Sequence, residues 1–177
     1  MNWKRDNWTV FVVALTLTVA ILVAGQLMWQ KFAVARPLDR GLKEIAGVEN
    51  AVWEENKNGD VIIKVTLASV PNLAKTYGDI DAAAKRALGK RPARIVLSDH
   101  RSPELEELYY TCNYNIQEAV ATGGFTVMAE RVRSAAQAAG AEAKVYVDAQ
   151  GVYLQLKKGE VELYAVIPRQ GDSGEVK

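Results

Sequence analysis

The sequence predicts an α+β fold: one N-terminal transmembrane helix, followed by a two-layer α/β sandwich domain with a mainly antiparallel sheet. Three patterns carry this expectation. From Asn7 to Gln30 no residue is charged, and Val, Leu, Ile, Phe and Ala dominate. Residues 61–67 and 145–167 alternate apolar and polar side chains, the period of strands with one buried face. Residues 73–88, 105–120 and 125–139 place apolar side chains three and four apart, the period of helices with one buried stripe.

The apolar run comes first. A helix rises about 1.5 Å per residue, so roughly 20 apolar residues cross a hydrocarbon core of about 30 Å. Trp8 to Trp29 meets that length. Trp3 and Trp8 at one end and Trp29 at the other suit the two water–lipid boundaries, and Lys4, Arg5 and Lys31 close the segment. Residues 1–7 read as a tail and 8–30 as a single-pass, signal-anchor transmembrane helix whose partner is the lipid bilayer. Ala33-Val34-Ala35 has the form of a leader cleavage site. The apolar run nevertheless exceeds the ~7–15 residues of a secretory leader, so the anchor is expected to be retained. A short basic tail ahead of a single span favours the cell membrane with the domain on the extracytoplasmic side. The richer positive charge of Lys31, Arg36, Arg40 and Lys43 pulls toward the opposite orientation. Within the span, Thr16, Ala20 and Ala24 recur every fourth residue and form a candidate packing face for another membrane helix.

The remainder of the chain, beyond the anchor, has the size of one ordinary domain. The chain of 177 residues carries 22 Lys and Arg against 21 Asp and Glu. Beyond residue 30 it is formally neutral, which removes the electrostatic footprint of a nucleic-acid binder. The single cysteine, Cys112, excludes an internal disulfide. No spacing of His, Cys, Asp or Glu implies a metal, and no motif implies a cofactor.

The membrane-proximal half, 37–98, reads helix, strand, strand, helix, strand. Pro37 suits a first helical turn, Leu38, Leu42 and Ile45 share a face, and Gly47 ends it. Val48 to Glu55 comes next as a strand, Asn56 to Asp60 has turn chemistry, and Val61 to Leu67 returns as a half-buried strand. Leu73, Tyr77, Ile80, Ala84, Ala87 and Leu88 define a helix that stops at Gly89, with Gly78 weakening its middle. Ala93 to Leu97 is the third strand.

The run Leu42-Lys43-Glu44-Ile45-Ala46-Gly47-Val48-Glu49-Asn50-Ala51 resembles the L-x-x-I-x-G-V-x-x-A opening of ring-building modules. These αββαβ domains occur in bacterial flagellar basal-body ring proteins, type III secretion ring proteins and sporulation channel proteins. The likeness covers residues 38–98. It implies a membrane-tethered domain that associates side by side with its own copies. Small metal-carrier and BON-type domains also turn from helix to strand through Gly-Val, and the Cys pair a metal carrier needs is missing here.

The distal half, 102–168, reads helix, helix and three strands. Ser102-Pro103-Glu104 fits an N-cap, a first helical residue and an acid at the positive helix end. Leu105, Leu108, Tyr109, Cys112, Ile116, Ala119 and Val120 form the apolar stripe of the first helix. Thr122-Gly123-Gly124 interrupts, and a second helix runs from about Phe125 to Ala139. Three strands in a meander finish the domain, with turns at Asp148–Gly151 and Lys158-Gly159. Their second face should carry Tyr146, Tyr153 and Tyr164 with Lys144, Gln155 and Glu162. Those three tyrosines are the candidate interaction surface, unless a helix of the same domain covers them. Residues 169–177 read as a disordered tail.

These features point to a non-catalytic interaction or assembly role at the membrane, as a homo-oligomer or within a membrane protein complex. The alternative is an extracytoplasmic ligand-binding or sensory domain, which needs a pocket of roughly a few hundred Å³ with convergent polar groups. A hydrolase would have only Asp99, His100 and Ser102 to work with, and triad members normally converge from separate chain segments.

Overall fold

A computed structural model describes residues 13–22, 38, 41–56, 59–89 and 91–169. Residues 38 and 41–43 are helical, and Leu38 and Leu42 are fully buried. The chain then reverses at Gly47, whose φ is +90°, and enters β1 (Val48–Glu55). Two facts make glycine necessary there. The positive φ disfavours any side chain, and a Cβ would lie 2.8 Å from Val70 Cγ2. The turn into β2 (Val61–Leu67) is held by Asn56, whose N–H donates to the Asp60 carbonyl at 2.9 Å and whose Oδ1 accepts the Asp60 N–H at 3.0 Å. On β2 the alternation is complete: Val61, Ile63, Val65 and Leu67 are all fully buried.

Helix α1 (Leu73–Leu88) starts where Asn72 Oδ1 accepts the Lys75 N–H, and it ends at Gly89. A helix between two strands of one sheet returns the chain to the end it started from, so β3 (Ala93–Ser98) pairs parallel to β2. The first sheet has order β1-β2-β3, with β1 and β2 antiparallel.

The distal half forms as its stripes imply. Helix α2 (Pro103–Thr122) is capped by Ser102 Oγ, which accepts the Leu105 N–H, and it buries Leu105, Leu108, Cys112, Ile116 and Ala119. Helix α3 (Phe125–Ala138) folds back beside it, with Arg131 bonded to Glu118 at 2.7 Å. Strands β4 (Glu142–Val147), β5 (Gly151–Lys158) and β6 (Val161–Pro168) make a second, wholly antiparallel sheet in chain order.

The fold is α+β with mostly antiparallel pairing. The strands divide between two sheets, however, which distinguishes the body from one two-layer sandwich. The α2–α3 hairpin covers one face of the second sheet through Val152, Leu154, Leu156, Leu163 and Ile167. The opposite face of that sheet, with Tyr153 and Tyr164, joins the core formed by the first sheet, α1 and residues 38 and 42. The layer order is therefore first sheet, α1, second sheet, α2–α3, and β5 faces a core on each side.

Among the described residues no helix is long and apolar enough to cross a membrane. Of the expected span 8–30 only residues 13–22 are described, as helix, and the remainder lies outside the described residues together with the tail 1–7 and Ala24. The C-terminal boundary needs a correction at Arg169, assigned from sequence to the tail. Its N–H donates to the Gln150 carbonyl at 2.9 Å, its guanidinium donates to the Asp148 carbonyl at 2.7 Å, and it lies 4.5 Å above the Phe125 ring centroid. An arginine that can cap a turn and stack on an aromatic ring is ordered by those contacts. Residues 170–177 lie outside the described residues.

Two glycines of the same half should respond oppositely to alanine. Gly47→Ala is expected to lower stability by roughly 1–3 kcal/mol, because it combines a left-handed backbone with a clash on Val70. Gly78→Ala, exposed inside α1 with no atom near its Cβ position, should raise stability by about 0.5–1 kcal/mol. Urea midpoints of the two variants against the parent check both signs.

Candidate functional site

The second sheet shows what its polar face is for. Tyr153 and Tyr164 are each 3% exposed, and Tyr146 is half-buried against the same core. The Tyr153 ring packs on Tyr77 of α1 at a centroid distance of 5.8 Å. The candidate interaction surface Tyr146, Tyr153 and Tyr164 is thus covered by the chain's own first half. That corrects its reading as a partner surface. Three tyrosines on one sheet face bury a large apolar area while their hydroxyls find partners, which suits an internal seam as well as an external interface.

Residues 69–73, from the loop after β2 to the first residue of α1, make the polar half of this seam. The Val70 N–H donates to the Tyr164 hydroxyl at 3.0 Å, and that hydroxyl donates to Glu162 Oε2. The same oxygen accepts the Ser69 N–H at 2.7 Å, while Lys157 Nζ donates to Glu162 Oε1 at 3.0 Å. Ser69 holds φ at +52°, a conformation a non-glycine residue avoids unless its surroundings impose it. Gln155, at the centre of β5, presents its amide as a backbone would: Nε2 donates to the Val70 carbonyl at 2.8 Å, and Oε1 accepts the Leu73 N–H at 3.0 Å. At the other side of the seam the buried Asp99 carboxylate accepts the Tyr164 N–H at 2.8 Å, and the His100 carbonyl accepts the Glu162 N–H at 3.4 Å. The outer edge of β6 is thereby satisfied from the end of β3.

The electrostatics derive from these contacts. Burial pushes the Glu162 carboxyl up, but the Tyr164 hydroxyl, Lys157 and the Ser69 N–H outweigh it, and its pKa falls below the ordinary value. Burial, then the hydrogen bond to Glu162, pushes the Tyr164 phenol well above its ordinary range, so it stays protonated. A cleft of about 170 Å³ opens beside the seam, lined by Ser69, Glu142, Lys144, Gln155, Glu162 and Tyr164 among others. Of these, Ser69, Gln155, Glu162 and Tyr164 are already bonded within the protein.

The remaining sequence candidates are scattered. Asp99 takes a bidentate contact from Arg101 at 2.7 and 3.0 Å, His100 Nε2 meets Glu49 Oε2 at 2.8 Å, and Ser102 Oγ caps α2. Each is engaged with a different partner, and the three form no relay. Cys112 is buried under α2, and that burial pushes its thiol up, away from reactive thiolate. Among the described residues no group of His, Cys, Asp and Glu is placed to hold a metal ion. Thr16 and Ala20 lie on the exposed helix 13–22, and Thr16 Oγ1 donates back to the Val13 carbonyl at 2.9 Å.

Two outward faces carry side chains that sequence reading passed over. On α2, Tyr110 and Tyr114 stand 58% and 63% exposed, one helical turn apart. Their rings meet edge-to-face at 5.4 Å and their hydroxyls lie 2.7 Å apart. On the first sheet, the register aligns Val52 with Lys64 and Lys64 with Val96 on the side away from α1. The i, i+4 spacing of the tyrosines was a legible signal. The row across the first sheet needed the strand register, which only the folded chain supplies.

Compared with protein-family models, curated proteins and solved structures, the chain finds no match.

The seam yields a pH signature. A carboxyl depressed in the folded state stabilises above its unfolded value, here 4.5, and that stabilisation is lost as pH falls through the folded value. Glu162→Gln keeps the shape and removes the charge. It is expected to lower stability at neutral pH by roughly 1–3 kcal/mol and to make the acid limb shallower than the parent's. Urea midpoints of both proteins between about pH 7 and about pH 3 test this, and parallel acid limbs would exclude Glu162 as the latch.

Proposed function

We propose that the chain is a single-pass protein of the cell membrane, whose α+β body lies on the extracytoplasmic side and serves a non-catalytic assembly role. The observation that carries the membrane reading is the helix over residues 13–22. Val13, Leu15, Leu17, Val19, Ile21 and Leu22 are all more than half exposed, so this helix buries none of its faces in the body. Apolar side chains exposed all round a helix are unfavourable in water and favourable in lipid. The uncharged sequence on both sides, to Trp8 and Trp29, extends the same character to a length that spans a bilayer.

The assembly reading draws on the order of helices and strands in residues 38–98, on the ring-building resemblance of Leu42 to Ala51, and on the two outward faces left uncovered at the ends of the layer order. The alternative, a ligand-binding or sensory body, has one observation in its favour, the cleft of about 170 Å³ at the seam. Most of the cleft's named polar groups are engaged in holding the two halves together, which weighs toward assembly.

Two measurements test the proposal. The full-length protein is expected to stay with the membrane pellet after alkaline carbonate washing, and its release would refute the anchor. In blue-native electrophoresis after mild detergent extraction it is expected to migrate as a complex, and a monomer would refute the assembly role.

A further inference from the structure

Among the described residues each sheet face is covered by helix, with one exception. The second sheet has α1 on one side and the α2–α3 hairpin on the other. The first sheet has α1 on its inner side only. Its outer side presents Val52, 49% exposed, Val96, 38% exposed, and the half-buried Ile62 around Lys64 and Arg94. At the opposite end of the layer order the α2–α3 hairpin has a sheet beneath it and no described element above it. Its outer side presents the paired Tyr110 and Tyr114 rings and Val127, which is 50% exposed. One end lacks a helical layer, and the other lacks a sheet.

We propose that a second copy of this chain supplies both, so that the outer face of the first sheet of one copy docks on the α2–α3 face of the next. The inference rests on the assembly reading above and names its contact surfaces. Charge supports the pairing. Helix α2 contains no Lys or Arg and carries four glutamates, of which Glu104, Glu106 and Glu118 are paired with Lys158, Arg101 and Arg131, leaving Glu107. The sheet face offers Arg94, while its Lys64 is paired at 3.1 Å with Glu54 of the same face. Arg94 and Glu107 have no ion-pair partner among the described residues, so each is free to meet the other across an interface. The tyrosines add aromatic area of the kind enriched at protein contacts, pre-ordered by their hydroxyl contact of 2.7 Å. Two different faces in contact make a heterologous interface, which continues from copy to copy until it closes as a ring or extends as a filament.

Cross-linking of full-length protein in mild detergent tests the pairing. Val96→Cys and Tyr114→Cys replace exposed residues of the two faces, while the native Cys112 is buried and slow to react. With a short bis-maleimide, a mixture of the two single variants is expected to give a covalent dimer that neither variant gives alone. Cross-linking of either variant with itself would indicate a symmetric contact and overturn the proposal. A complex in blue-native electrophoresis without the mixed cross-link would overturn it too, while leaving the assembly reading in place. A second pair of variants reads the charge. Arg94→Glu is expected to shift the complex to monomer, and Glu107→Arg in the same chain to restore it. Unchanged assembly in Arg94→Glu, or no restoration in the double variant, would count against these faces.

Discussion

The contact between residues 69–73 and the tyrosine face of the second sheet is the constraint on which the structure depends. Each half alone has too few layers to close its core. The first sheet and α1 leave an apolar gap that Tyr153 and Tyr164 fill. The second sheet, covered by α2–α3 alone, would expose a row of aromatic side chains. Burying that row also takes backbone groups at Val70 and Leu73 out of water, and each needs a partner. Tyr164 and Gln155 provide them, and among the described residues no buried side-chain polar atom is left without a hydrogen bond. The arrangement is specific because Gln155 can donate and accept at once, and the Tyr164 hydroxyl accepts from a backbone N–H while donating to a carboxylate.

Much of the secondary structure was legible in the sequence because its signals are local. Val61, Ile63, Val65 and Leu67 announce a strand by period, Ser102-Pro103 announces a helix start, and the Gly123-Gly124 pair separates two helices. Docking between the halves was not legible. Tyr146, Tyr153 and Tyr164 have the same spacing whether a partner or the chain itself covers them, and sequence alone could name both outcomes without deciding between them. Gln155 and Glu162 read only as polar companions of those tyrosines, since nothing local reveals that Val70, Ser69 and Leu73 come to meet them. The parallel pairing of β2 and β3 stems from the helix between them, whereas the division into two sheets depends on which strand edges meet, a long-range matter. Asp99, His100 and Ser102 are a different case, since the capping role of Ser102 was legible and the partners of the other two were not. Their crowding suggests chemistry, and the fold uses them to clamp β6, to reach Glu49 and to cap α2.

The two ends of the layered body differ in character, and the difference bears on the proposed tethering. The aromatic helical face and the aliphatic sheet face cannot meet within one molecule, because two cores lie between them. Under the proposed anchoring, confinement to a bilayer would hold neighbouring copies in a shared plane and raise their effective concentration. Weak complementary faces that would not associate in dilute solution can then do so.

The placement of β5 has a consequence for biosynthesis. Both cores close on this strand, yet it follows β1 to β4 and all three helices α1 to α3 in chain order. While the ribosome is still extending the polypeptide, the earlier helices and strands have no lid over their apolar surfaces. Final consolidation must wait for the last hairpin to emerge. One strand thus sets the moment at which both cores can close.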